Sequence, residues 1–149
     1  YRAYGLEFEG NYRIGGFNLA ASGTYTNAKI TASLDRTVVG NRPRRQADFT
    51  YKLTPTYTQD IFSVGASLIG TTASFAQDNN GLKLPAFTQV NAFVAIRPIE
   101  RIQLSVNANN LFDVAGYTEA EEGSIPGNGI VRARSINGRT ISVAAKFDF

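Results

Sequence analysis

The chain has no cysteine, histidine, methionine or tryptophan. Without thiolates or imidazoles it cannot build a disulfide framework, a Cys/His metal site or a catalytic pair that needs a histidine base. Most hydrolase chemistry is thereby removed, and no catalytic residue, metal ligand set or cofactor is expected. Charge is also scarce, at 18% of residues with a net +3. The basic residues form no stripe interleaved with aromatics, which argues against a nucleic-acid partner. Long apolar runs are missing too. The one uncharged stretch of nearly membrane-spanning length, IFSVGASLIGTTASFAQ over 61–77, is mostly Gly, Ser, Thr, Ala and Gln. Its large residues Phe62, Val64 and Leu68 share one parity, so it reads as a strand. No signal peptide is apparent and the first residue is Tyr1, which points to a processed or excised piece.

What remains is rich in Gly, Ser, Thr, Asn, Tyr and Phe, a composition of strands joined by turns. At 149 residues it is one domain's worth of chain. The clearest alternation is at the C-terminus. There Ile141, Val143, Ala145, Phe147 and Phe149 fall on one face, and Thr140, Ser142, Ala144, Lys146 and Asp148 on the other. A sheet over a soluble core and a membrane barrel strand both fit that pattern.

The same period recurs over 3–13, 17–26, 48–58, 61–75, 84–97 and 101–112, giving seven predicted strands in all. The connections between them alternate in length, short at 13–16, 58–60 and 98–100 and long at 27–46, 76–83 and 113–137. Outer-membrane barrels have short periplasmic turns and longer extracellular loops, whereas a soluble meander has no reason to sort them. Aromatic residues sit at strand ends, as interfacial girdles require. Tyr12, Phe17, Tyr57, Phe62 and Phe149 would form the lower girdle, with Tyr4, Tyr25, Tyr51 and Phe112 near the upper one. The expected fold is all-β: an antiparallel up-and-down transmembrane β-barrel with its apolar face to lipid. An extra strand hidden near 130–135 would instead make a small complete eight-stranded barrel of the adhesion or defence type. A soluble ligand-binding β-barrel would need the apolar face turned inward.

Several charged groups invite a ligand reading. Arg36, Arg42, Arg44 and Arg45 suit an anionic ligand or lipopolysaccharide phosphates, since guanidinium grips phosphate bidentately. The plain alternative is a solvated, disordered loop. Glu119, Glu121 and Glu122 suit a hard cation, against an ordinary solvated acidic loop. Glu7, Glu9, Arg13, Lys52, Arg101 and Lys146 fall on the lumenal face, where cross-strand pairing is the expectation and a substrate path the alternative. The amides of Asn107, Asn109 and Asn110 could read a sugar or chelate, or simply end a strand.

The segment Asn107-Ala-Asn-Asn-Leu-Phe-Asp113, followed by Tyr117 and a terminal Phe149, resembles the C-terminal barrel of TonB-dependent outer-membrane receptors. Tyr4-Gly-Leu-Glu-Phe-Glu9 is similar to a strand several positions earlier in the same family. The resemblance implies that Asn110, Leu111, Phe112 and Asp113 are an architectural box. It implies that Phe147 and Phe149 mark the last strand for the barrel-assembly machinery. Residues 1–149 would then be the C-terminal part of a barrel of about 22 strands, of the class with a plugged lumen. The plug and the upstream strands would lie outside this sequence. The implied activity is energy-coupled uptake of a scarce nutrient, such as a siderophore, vitamin or carbohydrate, with no enzymatic step. The implied partners are the TonB energy-coupling protein, reached through the N-terminal part, and the lipid and lipopolysaccharide of the bacterial outer membrane.

Overall fold

A computed structural model describes residues 1–121 and 129–148, so Glu122 and Phe149 lie outside the described residues. Among the described residues, apart from a 3-10 turn at Arg36–Val38, the elements are strands. Seven of them make one sheet: β1 (Arg2–Ile14), β2 (Phe17–Lys29), β3 (Phe49–Thr58), β4 (Phe62–Thr71), β7 (Phe87–Ile99), β8 (Ile102–Asn109) and β11 (Thr140–Phe147). Each pairs antiparallel with its neighbour in that order, and β1 and β11 form the open edges. Two short hairpins sit in the long loops, β5 (Ser74–Phe75) with β6 (Lys83–Leu84) and β9 (Tyr117–Ala120) with β10 (Ala133–Ser135). The hidden-strand alternative is thereby corrected. The segment near 130–135 pairs inside its own loop and adds nothing to the wall.

The register carries the period-two pattern across the whole sheet, because directly opposed residues share a face. One outward row runs Leu6, Tyr25, Phe49, and the next runs Phe8, Gly23, Tyr51, Gly70, Thr88. Further along, Val64, Val94, Val106 and Val143 stand in line. The opposite face carries Glu9, Ser22, Lys52, Ile69 and Gln89 in one row. Large residues lie over glycines in these rows. A Cβ on Gly23 would stand 2.5 Å from the Phe8 ring, and one on Gly70 would meet the Tyr51 ring. Those two glycines leave the room in which the aromatic rings lie flat.

The turns explain where strands end. Gly15, at φ 54°, opens the two-residue β1–β2 turn, which favours glycine at its first position. Between β7 and β8 the register shifts after Ile96, where Pro98 can donate no ladder hydrogen bond. The β3–β4 ladder likewise lapses between Leu53 and Thr56, across Pro55. The 61–75 strand is shorter than its alternation suggests, since β4 stops at Thr71 and the chain then turns to meet the first long loop. Thr72 N donates to Phe49 O at 2.9 Å, and Phe75 O accepts from Arg45 N at 2.7 Å.

Among the described residues no apolar core backs the outward face. Leu6 is 75% exposed, Val143 76% and Ile141 65%. The buried apolar residues Ala28, Ile30, Val38, Ala76, Leu84 and Ala120 all lie at the loop end, outside the middle of the sheet. A soluble barrel would turn its apolar face inward, whereas the depressions of this sheet carry its polar side chains.

Candidate functional site

The depressions of the sheet open on its polar side. One hollow of about 610 Å³ is bounded by Glu7, Glu9, Ser22, Thr24, Thr50, Lys52 and Thr71. Two more follow, along Asn11, Ala20 and Thr54 and, lower down, along Thr56, Ser63, Gln103 and Asn107. The polar face is thus the concave, lumenal one, as lipid outside and water inside demand. Cross-strand pairing of its charges is not observed. Glu7, Glu9, Arg13, Lys52 and Arg101 have no ion-pair partner among the described residues, and Lys146 pairs along its own strand with Asp148 at 3.0 Å. Glu7, Glu9 and Arg13 stand on β1, which has a neighbour on one side only. Glu9 and Lys52 share a row but are separated by Ser22, one strand beyond direct opposition.

Two lumenal aromatics depart from the polar pattern. Phe93 lies over Gly65, where a Cβ would stand 2.5 Å from the ring, and it also reaches the methyl of Thr56. Phe87 packs on Gly116 of the third long loop and borders the upper hollow with Ile69. Each ring fills space that a glycine leaves open, which accounts for the weak polarity of this strand's inner face.

Above the wall, three long loops interlock. In the first (30–48), the Asp35 side chain caps the 3-10 turn, accepting from Thr37 Oγ1 at 2.6 Å and Thr37 N at 2.9 Å. The Thr37 hydroxyl and then its N–H hold the Asp35 carboxyl below the ordinary 3.8. Arg42 pairs with Asp48 and lies over the Phe75 ring at 5.8 Å. Asn80 of the second loop (72–86) clamps the same residue at its backbone, donating to Arg42 O at 2.8 Å and accepting from Arg42 N at 3.2 Å. Asp78 accepts from Arg44 N at 2.9 Å. Arg45 reaches Glu119 of the third loop at 3.2 Å, and Arg134 holds the same carboxylate at 2.6 Å. Glu121 stands 3.8 Å from Arg132.

The arginine loop is therefore folded, contrary to the disordered alternative. Arg36 stays exposed on the 3-10 turn, whereas Arg42 and Arg45 are engaged between loops. The structure thus does not gather Arg36, Arg42, Arg44 and Arg45 around one ligand-sized space. Among the described residues no cluster of His, Cys, Asp or Glu has metal-binding geometry. Asp78 and Asn80 escaped the sequence reading because a turn-like Asp-Asn-Asn-Gly gives no hint of a partner nearly forty residues away.

The Asn110–Asp113 box closes the end of β8. Asn110 is 1% exposed and adopts φ 48°, a conformation asparagine tolerates. Its side chain donates to Val114 O and to Asn137 O, each at 3.0 Å, and accepts from Val114 N at 2.9 Å. Its N–H donates to Asn91 Oδ1 at 2.9 Å. Asp113, at φ 54°, accepts from Arg139 N at 2.8 Å just before β11. Leu111 N donates to Val90 O at 2.7 Å, while Phe112 is 69% exposed. Phe147 ends β11 opposite Ile102.

A family profile described as TonB dependent receptor-like, beta-barrel matches residues 1–111. The chain belongs to that family. It is a family of outer-membrane receptors and transporters, with no enzymatic step. Among solved structures, the siderophore receptor PiuA from Acinetobacter baumannii superposes with a TM-score of 0.83 at 21% identity, over 97% of this chain and 21% of that one. The ferric yersiniabactin uptake receptor FyuA from Yersinia pestis gives 0.83 at 19%, over 99% and 23%. The ferric citrate transporter FecA in its unliganded form gives 0.81 at 19%, over 99% and 24%. The chain thus spans about a fifth to a quarter of the length of these receptors. None of the curated proteins matches it in sequence.

Proposed function

We propose that this chain supplies wall and extracellular loops to a TonB-dependent receptor that imports a scarce nutrient across the outer membrane. Within that receptor it is the C-terminal part of the barrel domain, with a plug and further strands contributed by the rest of the protein. The observation that carries the reading is the family match over 1–111 on a sheet whose convex face is apolar and whose concave face is polar. The substrate is a siderophore, vitamin, carbohydrate or similar compound. The siderophore, ferric yersiniabactin and ferric citrate uptake of PiuA, FyuA and FecA favour a metal chelate. Energy comes from the TonB protein acting through the N-terminal part. Arg36, Arg42, Arg44, Arg45, Glu119 and Glu121 shape the outer mouth, where exposed Arg36 is a ligand contact; Glu122 lies outside the described residues. Uptake of a labelled nutrient panel should lose one compound when the full-length receptor is deleted, and the same compound when TonB is deleted. Uptake that survives loss of TonB would contradict the reading.

Phe147 and Phe149 carry a second role in assembly. An unpaired strand edge cannot remain in lipid, so the last strand must be captured and paired by the barrel-assembly machinery before release. Deleting Phe149 in the full-length protein should lower heat-modifiable protein in the outer-membrane fraction more than deleting a residue of the third long loop. Equal yields would contradict the assembly role.

A further inference from the structure

Three asparagines in the sequence precede a glycine, at Asn80–Gly81, Asn128–Gly129 and Asn137–Gly138, and Asn128 lies outside the described residues. Such a pair can react with itself, because glycine carries no Cβ to shield its nitrogen. The glycine nitrogen attacks the asparagine Cγ, and its proton departs with Nδ2 as ammonia. Water then opens the cyclic imide at one carbonyl to aspartate or at the other to isoaspartate. The balance needs only water. Asn80–Gly81 stands apart because its amide also joins two loops. It lies in the second long loop, between the interior strands β4 and β7, and its partners belong to the first and second loops.

Both reacting groups are occupied. Asn80 Nδ2 donates to Arg42 O at 2.8 Å and to Gln77 O at 3.2 Å, and Asn80 Oδ1 accepts from Arg42 N at 3.2 Å. Gly81 N donates to Asn79 Oδ1 at 2.8 Å. Ring closure expels Nδ2 and consumes the Gly81 N–H, so all of these bonds must be given up first, and the reaction waits on separation of the two loops. Water is at hand, since Gly81 is exposed while Asn80 is half-buried. The product cannot restore the joint. A carboxylate accepts but does not donate, so an aspartate in place of Asn80 would set a charge against the carbonyls of Arg42 and Gln77. Asp78, whose Oδ1 accepts from Arg44 N at 2.9 Å, would add a second negative charge nearby.

We propose that Asn80–Gly81 is a self-modification site, held inert while the first loop is docked on the second, and that its deamidation releases the first loop irreversibly. The test ages the folded full-length receptor in detergent at mildly alkaline pH and reads the amide-to-acid change at each pair by peptide mass spectrometry. Arg42→Ala removes the Asp48 pair and the Phe75 contact but leaves the backbone atoms that Asn80 grips. It should speed conversion at Asn80 roughly tenfold, while Asn137–Gly138, outside this joint, converts at the wild-type rate as the internal reference. Asp48→Asn loosens the same joint from its other side and should act in the same direction with heat-modifiable migration kept. Asn80→Asp should speed exchange of the Arg42 amide as Asn80→Ala does. Conversion at Asn80 that is no faster in either loosened variant than in wild type would overturn the protective role of docking. Wild-type exchange at Arg42 in Asn80→Asp would overturn the release.

Discussion

The wall and the loop cap are built from one short chain by opposite means. In the wall the backbone ladders satisfy one another, and the outward side chains are left uncovered because lipid is their solvent. In the cap a few small apolar residues are buried, among them Ala76, Leu84 and Ala120, and specific polar contacts do the joining. The difference teaches where each kind of substitution will hurt. A charge is ruinous on one face of the wall and tolerable on the other, whereas the cap is sensitive to the loss of particular ion pairs and amides.

The largest effect should come from Val143→Arg, at mid-strand on the outward face. It should lower stability by about 2 to 4 kcal/mol in a bilayer if the site lies near the midplane. Ser142→Arg, one residue away and lumenal, should change little. Denaturant titration of the full-length protein in vesicles measures both, and equal losses would erase the distinction between the faces. Next comes Asn110→Ala, at the seam between wall and cap. It strands the part-buried Val114 N–H and the carbonyls of Val114 and Asn137, and it places alanine at φ 48°. A loss of about 2 kcal/mol is expected in the same titration.

Within the cap, Asn80→Ala should release the first loop from the second at a cost of about 1 kcal/mol. The loss should appear as faster exchange of the Arg42 amide, with the wall amides unchanged. If wall exchange rises with it, cap and wall are one cooperative unit. The smallest effect concerns Asp35. Its folded pKa is depressed, so its contribution is present above the ordinary 3.8 and is lost as pH falls through the lower folded value. Protection of the Thr37 amide should follow that course, and Asp35→Ala should abolish it at every pH. Protection that is equal at neutral and strongly acid pH would show that the carboxylate is not the cap.

The same contrast governs how much could be read in advance. The wall was legible because its rule is local. Parity alone sorted Val64, Val94, Val106 and Val143 onto one side, and the register puts them in one row. Strand ends were less legible, since Thr72–Phe75 continue the alternation of β4 but are captured by Phe49 and Arg45. The cap was nearly opaque. Arg42 looked like an anion-gripping residue, yet its guanidinium serves Asp48 and Phe75, and its backbone serves Asn80. No periodicity announces contacts of that kind. The Asn-Leu-Phe-Asp box lies between these cases, recognisable as a motif although its buried hydrogen bonds to Asn91, Val114 and Asn137 are visible only in three dimensions.

The polarity of the wall is the claim on which the rest depends, and single cysteines test it most directly. Placed at Ser142, Val143, Ala144 and Ala145 in the full-length receptor, they should react alternately. Positions 143 and 145 should take a lipid-soluble label, and 142 and 144 a water-soluble one. Labelling of 142 and 144 from the lipid, with 143 and 145 silent, would contradict the account.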